Sequence, residues 1–160
     1  MKREIVDVVR DGLRDAFKQD NVIKAFYSGD PDVIPAFNLP AIVVSKLSDE
    51  SIADSMADDQ VTERIIVKLI LDKRDDWTAQ TDEVDLTEAK IRRLIEARDE
   101  TTGRYLDNTV KKVLRETLEQ ENLLIAGPTT FEIGTLPRPN DVVTMEGHIT
   151  VPVQHSVPIR

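Results

Sequence analysis

The sequence contains no cysteine. Disulfides, thiolate metal sites and thiol nucleophiles are therefore excluded, while the redox compartment stays open. Aromatic residues make up only 4% of the chain, so the core must be built from Ile, Val and Leu, and stacking on nucleobases is poorly supplied. Basic residues are outnumbered 21 to 30, for a net charge of −9. Tight binding to a nucleic-acid backbone needs clustered Lys and Arg, and this balance argues against it. It is compatible with an acidic wall past which a duplex slides. No stretch approaches the ~18 apolar residues of a membrane span. Lys2-Arg3-Glu4 follows Met1 without an apolar run, so no signal peptide is expected. Six dispersed glycines supply no phosphate-binding loop.

What is present is 160 residues, 40% hydrophobic and 32% charged, the composition of a globular chain. A single domain over 1–160 is expected, with a short tail from about 156. The organising stretch is Val61–Leu71. Val61, Ile65, Val67, Leu69 and Leu71 share one face, interrupted by Glu63, and Thr62, Arg64, Ile66, Lys68 and Ile70 share the other. Period-two alternation of β-branched residues predicts a long inner strand, with helices on its odd-numbered face.

Around it, apolar spacing predicts a helix from Arg3 to about Asp20, striped by Ile5, Val8, Val9, Leu13, Ala16 and Phe17. Gly12 within it invites close approach of a neighbour. Asn21–Tyr27 fits a strand or a helix tail. Pro31, Pro35 and Pro40 hold an extended connection into the strand Ala41–Val44, which ends near Leu47. Ser48–Gln60 carries Asp49, Glu50, Asp54, Asp58 and Asp59 and no base. It is expected to be a projecting loop between two antiparallel strands. After the charged corner 72–76, Trp77 is expected to be a lid on the core edge rather than a binding anchor.

A second helix is expected from Thr81 to about Arg98, capped by Thr81 or Asp82, with Val84, Ile91, Leu94 and Ile95 facing inward. Its basic cluster of Lys90, Arg92 and Arg93 reads as a solvated face, or more sharply as salt bridges to a neighbouring subunit. A third helix follows a cap at Asn108 or Thr109, striped by Val110, Val113, Leu114 and Leu118. Leu123–Ala126 either continues it or forms an edge strand. Two strands close the chain, Thr129–Leu136 and Val142 to about His155. Gly147 marks a possible bulge and Pro152 an edge or the end of pairing. Together these predict an α+β fold with a mixed, mainly antiparallel sheet and helices on one face.

A search for chemistry finds no catalytic constellation, cofactor motif or metal site. His148 and His155 are seven apart on a strand, hence on opposite faces, and are expected to face solvent. The acidic segment lacks calcium-loop spacing, and Glu63 and Lys68 lie on opposite faces of their strand.

The element order is a helix, the proline-led strand Leu39-Pro40-Ala41-Ile42-Val43-Val44, an acidic loop, the long strand, helices and terminal strands. Over roughly residues 1–155, this order resembles the tail terminator (tail completion) proteins of long-tailed bacteriophages and related neck proteins. The resemblance implies a non-enzymatic virion subunit, assembled in the host cytoplasm. It would form a ring, expected to be a hexamer, that caps the tail tube and meets the head–tail connector. DNA would pass through the lumen without specific binding, and no membrane would be involved. The alternatives are a connector or neck subunit, or a small non-catalytic α+β binding module. On the ring reading, the second and third helices and terminal strands make subunit contacts. Candidate interface residues are Ile52, Asp54, Met56, Asp58, Asp59, Arg64, Ile66, Lys68, Trp77, Arg92 and Arg93. Ile66→Asp is expected to weaken assembly more than folding.

Overall fold

The structure is a computed structural model that describes residues 3–78, 84–139 and 142–159. Six strands form one sheet: β1 (Ala25–Ser28), β2 (Ala41–Ala53), β3 (Asp58–Asp72), β4 (Leu124–Ile125), β5 (Thr130–Arg138) and β6 (Val142–Pro158). The order is β1-β2-β3-β6, after which β4 and β5 both pair along the far side of β6. Among the described residues only the β1–β2 pair is parallel. The α+β class and the mainly antiparallel mixed sheet are as the sequence predicts. β3 is an inner strand between β2 and β6.

Three helices, α1 (Ile5–Phe17), α2 (Thr87–Glu96) and α3 (Val110–Gln120), cover one face. They bury the predicted stripes, including Val9, Leu13, Ile91, Ile95, Val110 and Leu114, against Ile65, Val67, Leu69 and Leu71 of β3. The opposite face is covered at one end only. Parallel neighbours cannot be joined by a tight turn, and the connection of residues 29–40 crosses this face. There it packs Ile34 and Leu39 on Ala41, Val43 and Ile70. The Leu39–Pro40 peptide bond in this connection is cis.

Two glycines set the distance between layers. A Cβ on Gly12 would lie 2.4 Å from Thr117 Oγ1 of α3, the close approach expected of that position. A Cβ on Gly147 would lie 2.5 Å from Ile91 Cγ2 and 2.7 Å from Ile95 Cδ1. Gly147 pairs in unbroken register with Leu69 and Ile133. It is therefore no bulge but the place where α2 rests on the sheet.

Several expected boundaries change. Residues 48–53 and 58–60 are strand rather than loop, and β6 continues to Pro158 instead of becoming a tail at 156. Pro152 is internal. Its carbonyl accepts from Ala126 N at 3.0 Å, so its missing N–H faces Ala126 just past the end of β4, where the pairing with β4 stops. Within residues 123–126, Leu124–Ile125 form the short strand β4 rather than more helix. Thr109 caps α3 by accepting from Lys112 N. α2 begins at Thr87, and Val84 is exposed rather than inward. The proposed caps Thr81 and Asp82 lie outside the described residues. The described start of α2 is held by Asp76, whose carboxylate accepts from Thr87 N at 2.7 Å and from Thr87 Oγ1 at 2.8 Å. Burial raises the Asp76 pKa, but hydrogen bonds from Lys73 and Thr87 outweigh it and leave the pKa lowered.

Candidate functional site

Beyond the bulge at Lys46/Ser48, β2 and β3 run on together; Val153 of β6, opposite Glu63, is the last residue buried in the core, and past that rung they form a ribbon. Asp58, Asp59 and Gln60 also pair with Pro158, Val157 and Ser156 of β6. The projection is thus a three-stranded arm. Its tip is closed by Ser55, whose Oγ accepts from Ala57 N at 3.2 Å and Asp58 N at 3.1 Å. Ile159 N donates to Ala57 O at 2.7 Å, tying the end of β6 to the tip. Acidic residues are poor strand formers, which is why this segment reads as a loop. On this ribbon Asp49, Glu50 and Asp54 stay exposed to water, and the ladder satisfies the backbone.

The arm carries apolar side chains with nothing over them. Ile52 is 69% exposed and Met56 79%. Glu50 and Ile52 share one face by period two. Asp49 sits directly opposite Glu63, a like-charge pair that is unfavourable by itself. Lys46 Nζ, 2.7 Å from Asp49 Oδ2, and His155 Nε2, 3.5 Å from Glu63 Oε1, lie beside these carboxylates.

The face opposite the helices, beside the crossing connection, holds a chain of charges. Glu146 is 1% exposed. Its carboxylate accepts from Arg138 Nε at 2.7 Å and Nη2 at 2.8 Å, and from Thr144 Oγ1. His148 Nε2 lies 2.9 Å away, and since an ionised carboxylate only accepts, that nitrogen carries the proton. Asp30 extends the chain, 3.7 Å from Arg138 and 2.6 Å from Lys68. Burial pushes the Glu146 pKa up. Hydrogen bonds from His148, Arg138 and Thr144, with the Arg138 charge, outweigh it and bring the pKa to about 2. A buried carboxylate with this many donors is held ionised and fixed in place.

The expected interface residues divide into separate groups. Ile52, Asp54, Met56, Asp58 and Asp59 come together on the arm. Arg64 is exposed on β3. Ile66 is only 7% exposed within this one chain. Its burial needs no second subunit, so Ile66→Asp strikes folding first. Lys68 is engaged by Asp30. Trp77 is 71% exposed and is no lid. Arg92 pairs with Glu88 at 2.7 Å, and Arg93 pairs with Asp85, so both are satisfied within the chain. His148 and His155 are half-buried rather than solvent-facing, and they stand on opposite faces as expected. The Arg138–Glu146 pair was missed. Only the hairpin register sets Arg138 opposite Val142, on the same face as Glu146, from where its side chain reaches along the sheet to the carboxylate.

Among the described residues no group of three or more His, Asp or Glu side chains could hold a metal ion, and no helix is long and apolar enough to cross a membrane. No protein-family model matches the chain, and no curated protein matches it.

Proposed function

We propose that this protein is a structural virion subunit, a tail terminator that closes the end of a phage tail tube as a ring and joins the tail to the head. The observation that carries this reading is the three-stranded arm with its exposed Ile52 and Met56. A chain that worked alone would gain nothing from a ribbon whose tip exposes apolar side chains beyond the core, whereas an assembly subunit uses one to reach a neighbour. The exposed Trp77 near the opposite ends of β2 and β3 supplies a second apolar contact, and two dissimilar patches on one subunit suit the heterologous contacts of a closed ring. The acidic balance of the chain fits a lumen to which passing DNA does not adhere.

The test is electron microscopy of the purified protein mixed with tail tubes assembled from the tube protein of the same phage. The expected result is a ring, six-fold in projection, at one end of each tube, with tube growth halted. Bare tube ends that continue to elongate at saturating protein would refute the assignment. Rings that form only on the head-side connector would move it to the neck.

A further inference from the structure

The chain is acidic, yet one groove on it is not. α3, the turn before it and the β4–β5 connection enclose two adjoining cavities of about 630 and 540 Å³ that share Tyr105, Lys111 and Arg115. Five cations line them (Arg98, Arg104, Lys111, Lys112 and Arg115) and a single carboxylate, Glu119. Part of this charge is already spoken for. Lys111 Nζ is 2.7 Å from Glu96 Oε2, and Lys112 Nζ is 3.4 Å from Glu116 Oε1. The Arg98 guanidinium stacks over the Tyr105 ring at 5.1 Å. No ion pair is made by Arg98, Arg104 or Arg115 among the described residues. The other half of the groove is apolar, where Leu124, 60% exposed, stands beside half-buried Leu123 and Ile125.

We propose that this groove receives the arm of a second copy of the chain, the acidic, apolar-tipped ribbon of one subunit lying in the part-basic, part-apolar groove of the next. The two surfaces match in both chemistries. The arm offers Glu50 and Asp54, exposed and without an ion pair among the described residues, beside exposed Ile52 and Met56. The groove offers unpaired guanidinium groups beside leucines. Fork-shaped guanidinium groups suit carboxylates. Duplex DNA would satisfy the cations but not the apolar half, and the overall charge repels it. From Ser51 to the tip the ribbon extends roughly 15 Å beyond the core at ~3.3 Å per residue, enough to reach a neighbouring subunit. Arm and groove are different patches, so the contact repeats head to tail and can close into a ring. The proposal names the subunit partner within the ring reading and rests on that reading for closure alone.

The absence of cysteine makes the test clean. Two full-length single-cysteine proteins, Met56→Cys and Arg104→Cys, are mixed, with and without tail tubes, and treated with a short bismaleimide. A covalent dimer containing one of each is expected well above the yield of either protein alone. Adding Arg115→Glu to the groove partner should lower that yield about tenfold, and Glu50→Arg on the arm partner should restore most of it. Urea midpoints matching the parent check that the exposed substitutions leave the fold intact. Equal mixed and single-protein yields overturn the proposal, as does a yield indifferent to Arg115→Glu. Loss of duplex DNA retention by Arg115→Glu, without any change in cross-linking, overturns it in favour of nucleic acid. Rings on tubes without the mixed cross-link refute the groove and spare the terminator reading, while the cross-link without rings does the reverse.

Discussion

Glu146 shows how one residue couples charge to fold. Its folded pKa of about 2 lies below the ordinary carboxyl value of 4.5. Its contribution to stability is therefore complete above about pH 4.5 and is lost as the pH falls through about 2. Glu146→Gln should lower stability at pH 7 by about 1–3 kcal/mol, because the Arg138 charge is left without its carboxylate. Urea unfolding between pH 6 and pH 2 checks both statements. The wild-type midpoint should fall more steeply than that of the Gln variant across the acid window, and parallel curves would show that another group dominates. Gly147→Ala tests the contact beneath α2. The added methyl has nowhere to go between Ile91 and Ile95, and a loss of about 1–3 kcal/mol is expected from overpacking.

At the scale of elements, two devices fix where helices and strands begin and end. Asp76 caps the described start of α2 from a neighbouring 3-10 turn. Asp76→Ala should cost about 1–2 kcal/mol, as loss of a good cap does, read as a lower thermal midpoint. The arm is the opposite case, an element built without core. Replacing Ile52–Gln60 by Asn-Gly closes the hairpin at the Ser51–Val61 pair with a turn suited to two residues. The folded core should keep its thermal midpoint within a few degrees while joining of heads to tails is lost. A variant that still completes particles at normal yield would show that the arm has no part in assembly. Periodicity made α1, α3 and β3 legible because each lays a full stripe on the core. The outer end of β2 and the first three residues of β3 were not legible, because they are rich in acidic residues, which are poor strand formers, and carry no apolar pattern.

For the molecule as a whole, the sheet has a covered face and a face half covered, and the two respond differently to substitution. Ile66→Asp places a charge at a position already buried in the single subunit. Loss of folded protein is expected, seen as aggregation on expression or collapse of the urea midpoint, rather than selective loss of assembly. Trp77 reports assembly instead. Its exposed indole should emit as a water-exposed tryptophan in the isolated protein, and the emission should shift to shorter wavelength if ring formation covers it. An unshifted spectrum in assembled rings would remove Trp77 from the interface.

The sequence alone determined the class of fold, the inner strand, the helical stripes and the side of the sheet on which the helices lie. These follow from side-chain periodicity, a local property that survives without knowledge of partners. Only the tertiary structure decided that an acidic segment is strand, that Arg138 reaches Glu146, that Gly147 is a packing point and that five cations gather on an acidic chain. Each of those depends on which distant residues the register and the helix packing bring together.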